Sequence, residues 1–211
     1  MDRENQPAIT NTQFRQTLLA ITQVLGEKSS KDIYRSARLD AYLATLPPDD
    51  LTRSFNSYEY SRLLQTIETA YDQKGPWILQ RIGRETFHIV LREQSTLMSS
   101  AKRIISLWPP EQRIQIMMQT IVDTQQKTYP HTETWLEDKN GQLAYIEQNC
   151  LVCAGRQSSQ PVCHLTVGFI HEALQWAIGK DVQVNETDCV AKGDAFCRFS
   201  IGNEVPHRNS T

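Results

Sequence analysis

Residues 131–148, HTETWLEDKNGQLAYIEQ, hold two short extended runs, His131 to Glu137 and Gln142 to Gln148, joined by Asp138-Lys139-Asn140-Gly141. Asn-Gly supplies the positive-φ positions of a tight hairpin turn, so the stretch predicts two antiparallel strands. Downstream, residues 162 to 179 place Leu165, Phe169, Ile170, Ala173, Leu174 and Ala177 on one helical face, with Gly179 as the stop. Two more strands follow, Asp181 to Thr187 and Ala195 to Ile201, connected through Ala191-Lys192-Gly193-Asp194. Upstream the periodicity is helical. It predicts helices over Phe14 to Leu25, Lys31 to Leu46 (closed by Pro47-Pro48), Ser57 as cap to Asp72, Trp77 to Leu91, 97 to 107 and 110 to 127. Several helices, a hairpin, a helix and a hairpin describe an α+β fold: an antiparallel sheet of about four strands covered by helices. The expected divisions are a disordered tail 1–10, a helical part 11–128 packing on the sheet, an α+β part 129–202 and a tail 203–211.

Composition narrows the function by exclusion. A net charge of −2 over 211 residues, with 39% hydrophobic and 22% charged residues, is that of an ordinary globular protein and gives no electrostatic reason to expect nucleic acid. The polar start MDRENQPAITNTQ lacks a signal-peptide core, and no apolar run approaches the roughly 18 residues of a transmembrane helix. The expectation is a cytoplasmic protein, free or peripheral to a membrane complex. The nine glycines are scattered, without a GxGxxG or P-loop pattern, so no nucleotide cofactor is announced. No catalytic triad can be assigned either. This argues against an enzyme acting alone, with an accessory role in a reduction left open.

All five cysteines follow position 149. Along Asp181 to Glu186, alternation places Glu186 with Val182 and Val184 on the apolar face, where an unpaired carboxylate is costly. The turn near Lys192-Gly193 brings Cys189 and Cys197 opposite each other, and Cys163 at the first turn of its helix sits where the backbone dipole favours a thiolate. Cys163, Glu186, Cys189 and Cys197 therefore form a four-coordinate S/O set acceptable to zinc. Buried thiols acting as small hydrophobes account equally well for the spacing. Cys150-Leu-Val-Cys153 leaves three readings open: a second metal site with Cys163 or His164, a redox pair, or a loop pair without a ligand. His164 and His171 read as polar surface or interface residues.

The stretch Pro161-Val-Cys163-His-Leu-Thr-Val-Gly168, followed by Glu186-Thr-Asp-Cys189 and Gly193-Asp194-Ala-Phe-Cys197, resembles the 4-vinyl reductase domain over about residues 140 to 202. That family includes proteins of bacteriochlorophyll synthesis and phenol-sensing activators, and is related to transport-particle subunits. The resemblance implies zinc at Cys163, Glu186, Cys189 and Cys197, and a dimer. It also implies an apolar small-molecule ligand, a tetrapyrrole of the chlorophyll type or a simple aromatic, lying between the helices and the sheet. The function expected from it is a binding or carrier domain with structural zinc, serving photosynthetic pigment synthesis or assembly. The alternatives are an assembly module docking on a larger photosynthetic complex without a small ligand, and an aromatic sensor.

Overall fold

Asn56 closes a capping box with Glu59, its side chain accepting from the Glu59 amide at 2.9 Å while its own amide donates to the Glu59 carboxylate at 3.2 Å. The cap is thus one residue earlier than Ser57, which is itself buried at the start of the helix. The computed structural model describes residues 8–139 and 141–202. In order they form β1 (Ala8–Thr10), α1 (Asn11–Leu25), α2 (Glu27–Ser36), β2 (Arg53–Asn56), α3 (Ser57–Tyr71), α4 (Gly75–Glu93), α5 (Ser95–Ile105) and α6 (Pro110–Thr128). Then come β3 (Glu133–Lys139), β4 (Gln142–Gln148), α7 (His164–Ile178), β5 (Val184–Asp188) and β6 (Cys197–Ile201).

Two expectations are corrected near the start. Ala8–Thr10, expected to fray, pairs antiparallel with β2, and the Thr10 side chain caps α1 through the Gln13 amide. The second helix ends well before the predicted proline stop, at Ser36. Arg38 adopts φ 59, and the turn buries both Ala37 and Leu39 in the core. Burial of these two side chains outweighs continued helical periodicity. Asn140 and the expected tail 203–211 lie outside the described residues, and none of the described helices is long and apolar enough to cross a membrane.

The main sheet is antiparallel, in the order β3-β4-β6-β5. Register puts Tyr145 and Glu186 beside Phe199, and Glu147 beside Cys197. Strand alternation therefore gathers Tyr145, Glu147, Glu186, Cys197 and Phe199 on one face. Helix α7 packs on β5, on α6 and most extensively along α4. The α4–α7 crossing is made by two glycines. A Cβ on Gly83 would lie 2.0 Å from the Leu165 carbonyl oxygen, and one on Gly168 would lie 2.0 Å from that of Gln80. The backbones touch there, with T-shaped contacts of Phe87 to Phe169 and Trp176 along the same seam. Helix α5 is seated more loosely: of its residues only Ile105 is buried, while Leu97, Ile104 and the following Leu107 and Trp108 are exposed.

Candidate metal centre

Three segments converge on the start of α7. The first is the loop between β4 and α7, which begins at Asn149 with φ 57 and carries Cys150 and Cys153. Its path is held from outside. Arg156 forms an ion pair with Glu68 of α3, the Ser158 amide donates to the Ala191 carbonyl at 2.8 Å, and Gly155 (φ +70) lies against the Tyr58 ring. The second segment is Cys163, immediately before α7. The third is the β5–β6 hairpin, which contributes Glu186, Cys189 and Cys197. Its turn uses Gly193 at φ +100, a conformation open to glycine, and the Asp194 carboxylate accepts from the Cys189 amide at 2.8 Å. That hydrogen bond holds the Asp194 carboxyl below its ordinary range, helped by Lys192 at 3.0 Å.

The result is one cluster of five free, buried thiols. Sulfur separations are 3.7 Å for Cys150–Cys163, 3.5 Å for Cys153–Cys197, 3.8 Å for Cys163–Cys197 and 3.9 Å for Cys163–Cys189. A tetrahedral ion with metal–sulfur bonds of about 2.3 Å has ligand–ligand edges of about 3.8 Å, whereas a disulfide has sulfurs about 2.05 Å apart. The cluster has the dimensions of a metal site. Two tetrads each keep their ligand atoms within 4.8 Å of one another: Cys163, Glu186, Cys189 and Cys197, and Cys150, Cys153, Cys163 and Cys197. The four residues singled out by spacing come together. Cys150 and Cys153 do not stand apart from them but share Cys163 and Cys197 with the first set.

Electrostatics fit the same donor set. One Glu186 oxygen accepts from the Cys163 amide at 2.7 Å, while Oε1 is buried without a partner. Burial, and after it the Cys189 thiol, pushes this carboxyl up to about 8. Glu147, a residue that strand reading alone does not pick out, forms the floor of the cluster. Burial and the neighbouring Cys153 push it up to about 7. Burial raises the Cys163 thiol, whereas hydrogen bonds from Cys153 and Cys163 hold Cys150 well below its usual range. So many acids in one dry space cannot all ionise unless a cation compensates them.

The histidines stay out of the cluster. His164 lies 3.8 Å from Glu68, with its pKa lowered by burial, and His171 lies 2.6 Å from Asp181. A separate surface groove of about 310 Å³ is lined by Val24, Trp77, Gln80, Arg81, Arg84, Glu85, His88 and Glu172 and shares no residue with the thiols.

Residues 145–203 match the family model of the 4-vinyl reductase domain. An uncharacterized protein of Methanocaldococcus jannaschii is 31% identical over 64 residues, covering 30% of this chain and 35% of the relative. The match thus spans about a third of that curated relative's length. Among solved structures, an Fe(II) unliganded H-NOX protein from K. algicida superposes with a TM-score of 0.57 at 14% identity, over 93% of this chain and 97% of that one. Another, whose title concerns heme redox potential and porphyrin distortion, gives 0.56 at 10% identity, over 92% and 98%. These identities speak to fold alone, and the fold they establish is the predicted mixture of helices and antiparallel sheet. The segment that supplies all five thiols and Glu186 is therefore a 4-vinyl reductase domain, set in a chain whose fold is that of the H-NOX structures.

Proposed function

We propose that this chain is a small-molecule-binding domain in which zinc, held by Cys163, Glu186, Cys189 and Cys197, fastens the β5–β6 hairpin to the start of α7. The observation that carries the reading is the buried convergence of three sulfurs at tetrahedral-edge distances with an unpartnered Glu186 oxygen. Bound there, zinc supplies a cross-link. Four protein ligands complete its coordination, so this chain's residues hold it as a fastener and leave no position for a substrate. Zinc analysis of the purified protein, with melting of Cys189→Ser and Cys197→Ser, tests it. Both variants are expected to lose metal and melt lower, because metal binding is coupled to folding. Full zinc content and an unchanged melting temperature in both would refute the assignment.

For the ligand, the family match and the H-NOX-like fold support a binding domain, and a tetrapyrrole is the class we favour, in pigment synthesis or assembly. The Gly83–Gly168 contact leaves no slot between α4 and α7. We place an apolar ligand instead beneath α5 and α6, where Met98, Ile114, Ile121, Phe169 and Trp176 are only partly buried. Absorption and mass spectra of the natively purified protein decide this point: a colourless protein without a co-purifying apolar molecule sinks the carrier reading. One observation favours a second reading, an assembly module that dimerises or docks on a larger complex. The exposed apolar residues Leu97, Ile104, Leu107 and Trp108 are grouped on α5 and the turn after it. Light scattering that shows a monomer without associated chains removes that alternative.

A further inference from the structure

Zinc at Cys163, Glu186, Cys189 and Cys197 leaves Cys150 and Cys153 unaccounted for, although Cys150 lies 3.7 Å from Cys163 and Cys153 lies 3.5 Å from Cys197. The opposite choice, an ion on Cys150, Cys153, Cys163 and Cys197, strands Cys189 and leaves the buried Glu186 oxygen without a partner. Neither tetrad alone uses all six donors. The two share one edge, Cys163–Cys197, of 3.8 Å, and the measured edges on both sides of it, 3.5 to 3.9 Å, are those of a tetrahedron about a zinc-sized ion. Two tetrahedra with a common edge describe a pair of metals bridged by two ligands.

From this juxtaposition we infer that the cysteine-bearing C-terminal segment binds a pair of zinc ions. Cys163 and Cys197 act as bridging thiolates, Cys150 and Cys153 as terminal ligands of one ion, and Glu186 and Cys189 as terminal ligands of the other. The inference rests on the zinc reading above and adds a second ion to it. Charge favours the pair. One divalent ion faces five thiols and a carboxyl, whereas two ions bring four positive charges against at most six negative ones in a buried space. Each bridging sulfur has a lone pair for each metal, so Cys163 and Cys197 serve both ions without further groups. The loop that presents Cys150 and Cys153 is already fixed by Arg156–Glu68 and by Ser158–Ala191, so the second site is preformed on the protein side. With a shared sulfur edge of 3.8 Å and zinc–sulfur bonds of about 2.3 to 2.4 Å, the two metals lie about 3 Å apart.

The test is zinc content after anaerobic reconstitution of the full chain with excess Zn²⁺ and removal of loose metal, together with X-ray absorption at the zinc edge. The expected result is about two zinc ions per chain and a zinc–zinc scatterer at about 3 Å. The double variant Cys150→Ser/Cys153→Ser should fall to about half the wild-type content, as should Glu186→Gln/Cys189→Ser. Wild-type protein with a single zinc that Cys150→Ser/Cys153→Ser retains overturns the second ion and leaves the first site standing. A single zinc that Cys150→Ser/Cys153→Ser loses overturns the pair and moves the metal to the other tetrad. Absence of zinc from the wild-type chain overturns both readings. The wild-type stoichiometry needs no variant to fold, so it decides between one ion and two on its own.

Discussion

Replacing Gly168 by alanine sets two effects of opposite sign against each other. Alanine is the better helix former, by about 1 kcal/mol in a helix interior, so propensity alone predicts a more stable protein. The structure predicts the reverse. The added Cβ would lie 2.0 Å from the Gln80 carbonyl oxygen and 2.7 Å from its Cα, and both obstacles are backbone atoms that cannot rotate away. Ordinary contact begins near 3.4 Å, so α4 and α7 must separate locally by about 1.4 Å (3.4 − 2.0). Overpacking of this kind costs about 1 to 3 kcal/mol where side chains can adjust, and a backbone obstacle puts this site at the upper end or beyond. Net of propensity, the loss is about 2 kcal/mol, which lowers the melting temperature by roughly 4 to 8 °C in a chain of this size. Gly83→Ala should do the same, since its Cβ would meet the Leu165 oxygen at 2.0 Å. The double variant should lose less than the sum, because one separation of the helices relieves both clashes. Urea or thermal unfolding of the three variants at fixed zinc concentration measures this. An unchanged or raised midpoint for both single variants would refute the backbone contact.

Glu147→Gln reports on the buried carboxyl beneath the thiols. Its folded pKa of about 7 lies above the ordinary 4.5, so the folded state holds the proton more tightly than the unfolded one. The penalty for folding with this acid therefore appears as pH rises through 4.5 and is complete above about 7, where it amounts to about 3 kcal/mol at most. The amide should raise the melting temperature at pH 8 and change it little at pH 4; equal effects at both would show that the carboxyl is not buried as described. Arg156→Ala removes the inward clamp on the loop and leaves Glu68 without its partner, at a cost of about 2 kcal/mol. Thiol labelling should then reach Cys150 and Cys153 before the other three, and uniform protection of all five would count against the clamp.

Much of the sheet and half of the candidate site are legible from local pattern. The turn between Lys139 and Gln142, Gly179 after α7 and the alternation of Val184 and Glu186 each act within a few residues, and the strands and helix they delimit lie where the spacing puts them. Cys189 and Cys197 meet because a hairpin brings them together, and hairpin register is a local property. The position of Cys150 and Cys153 is of another kind. It depends on Arg156 reaching Glu68, 88 residues earlier in the chain, and on a non-glycine residue, Asn149, turning at φ 57. Neither carries a sequence signature. Glu147 gives no local signal because a glutamate at a strand end usually faces solvent, and only its pairing with Cys197 puts it inside. The break at Arg38 is hidden because helical periodicity continues past it.

The sulfur contacts also set an order of assembly. They close loops of 13 residues (Cys150–Cys163), 26 (Cys163–Cys189), 34 (Cys163–Cys197) and 44 (Cys153–Cys197). The entropic cost of closing a flexible loop grows by only about 1 kcal/mol between the shortest and the longest, so nested loops close at similar expense. What separates them is the scaffold each needs. The short loop needs only its own segment and the first turn of α7, whereas the longest cannot close until β6 has docked beside β4. Folding of the C-terminal third therefore runs from Cys150 outward, and the last strand of the sheet completes the grip.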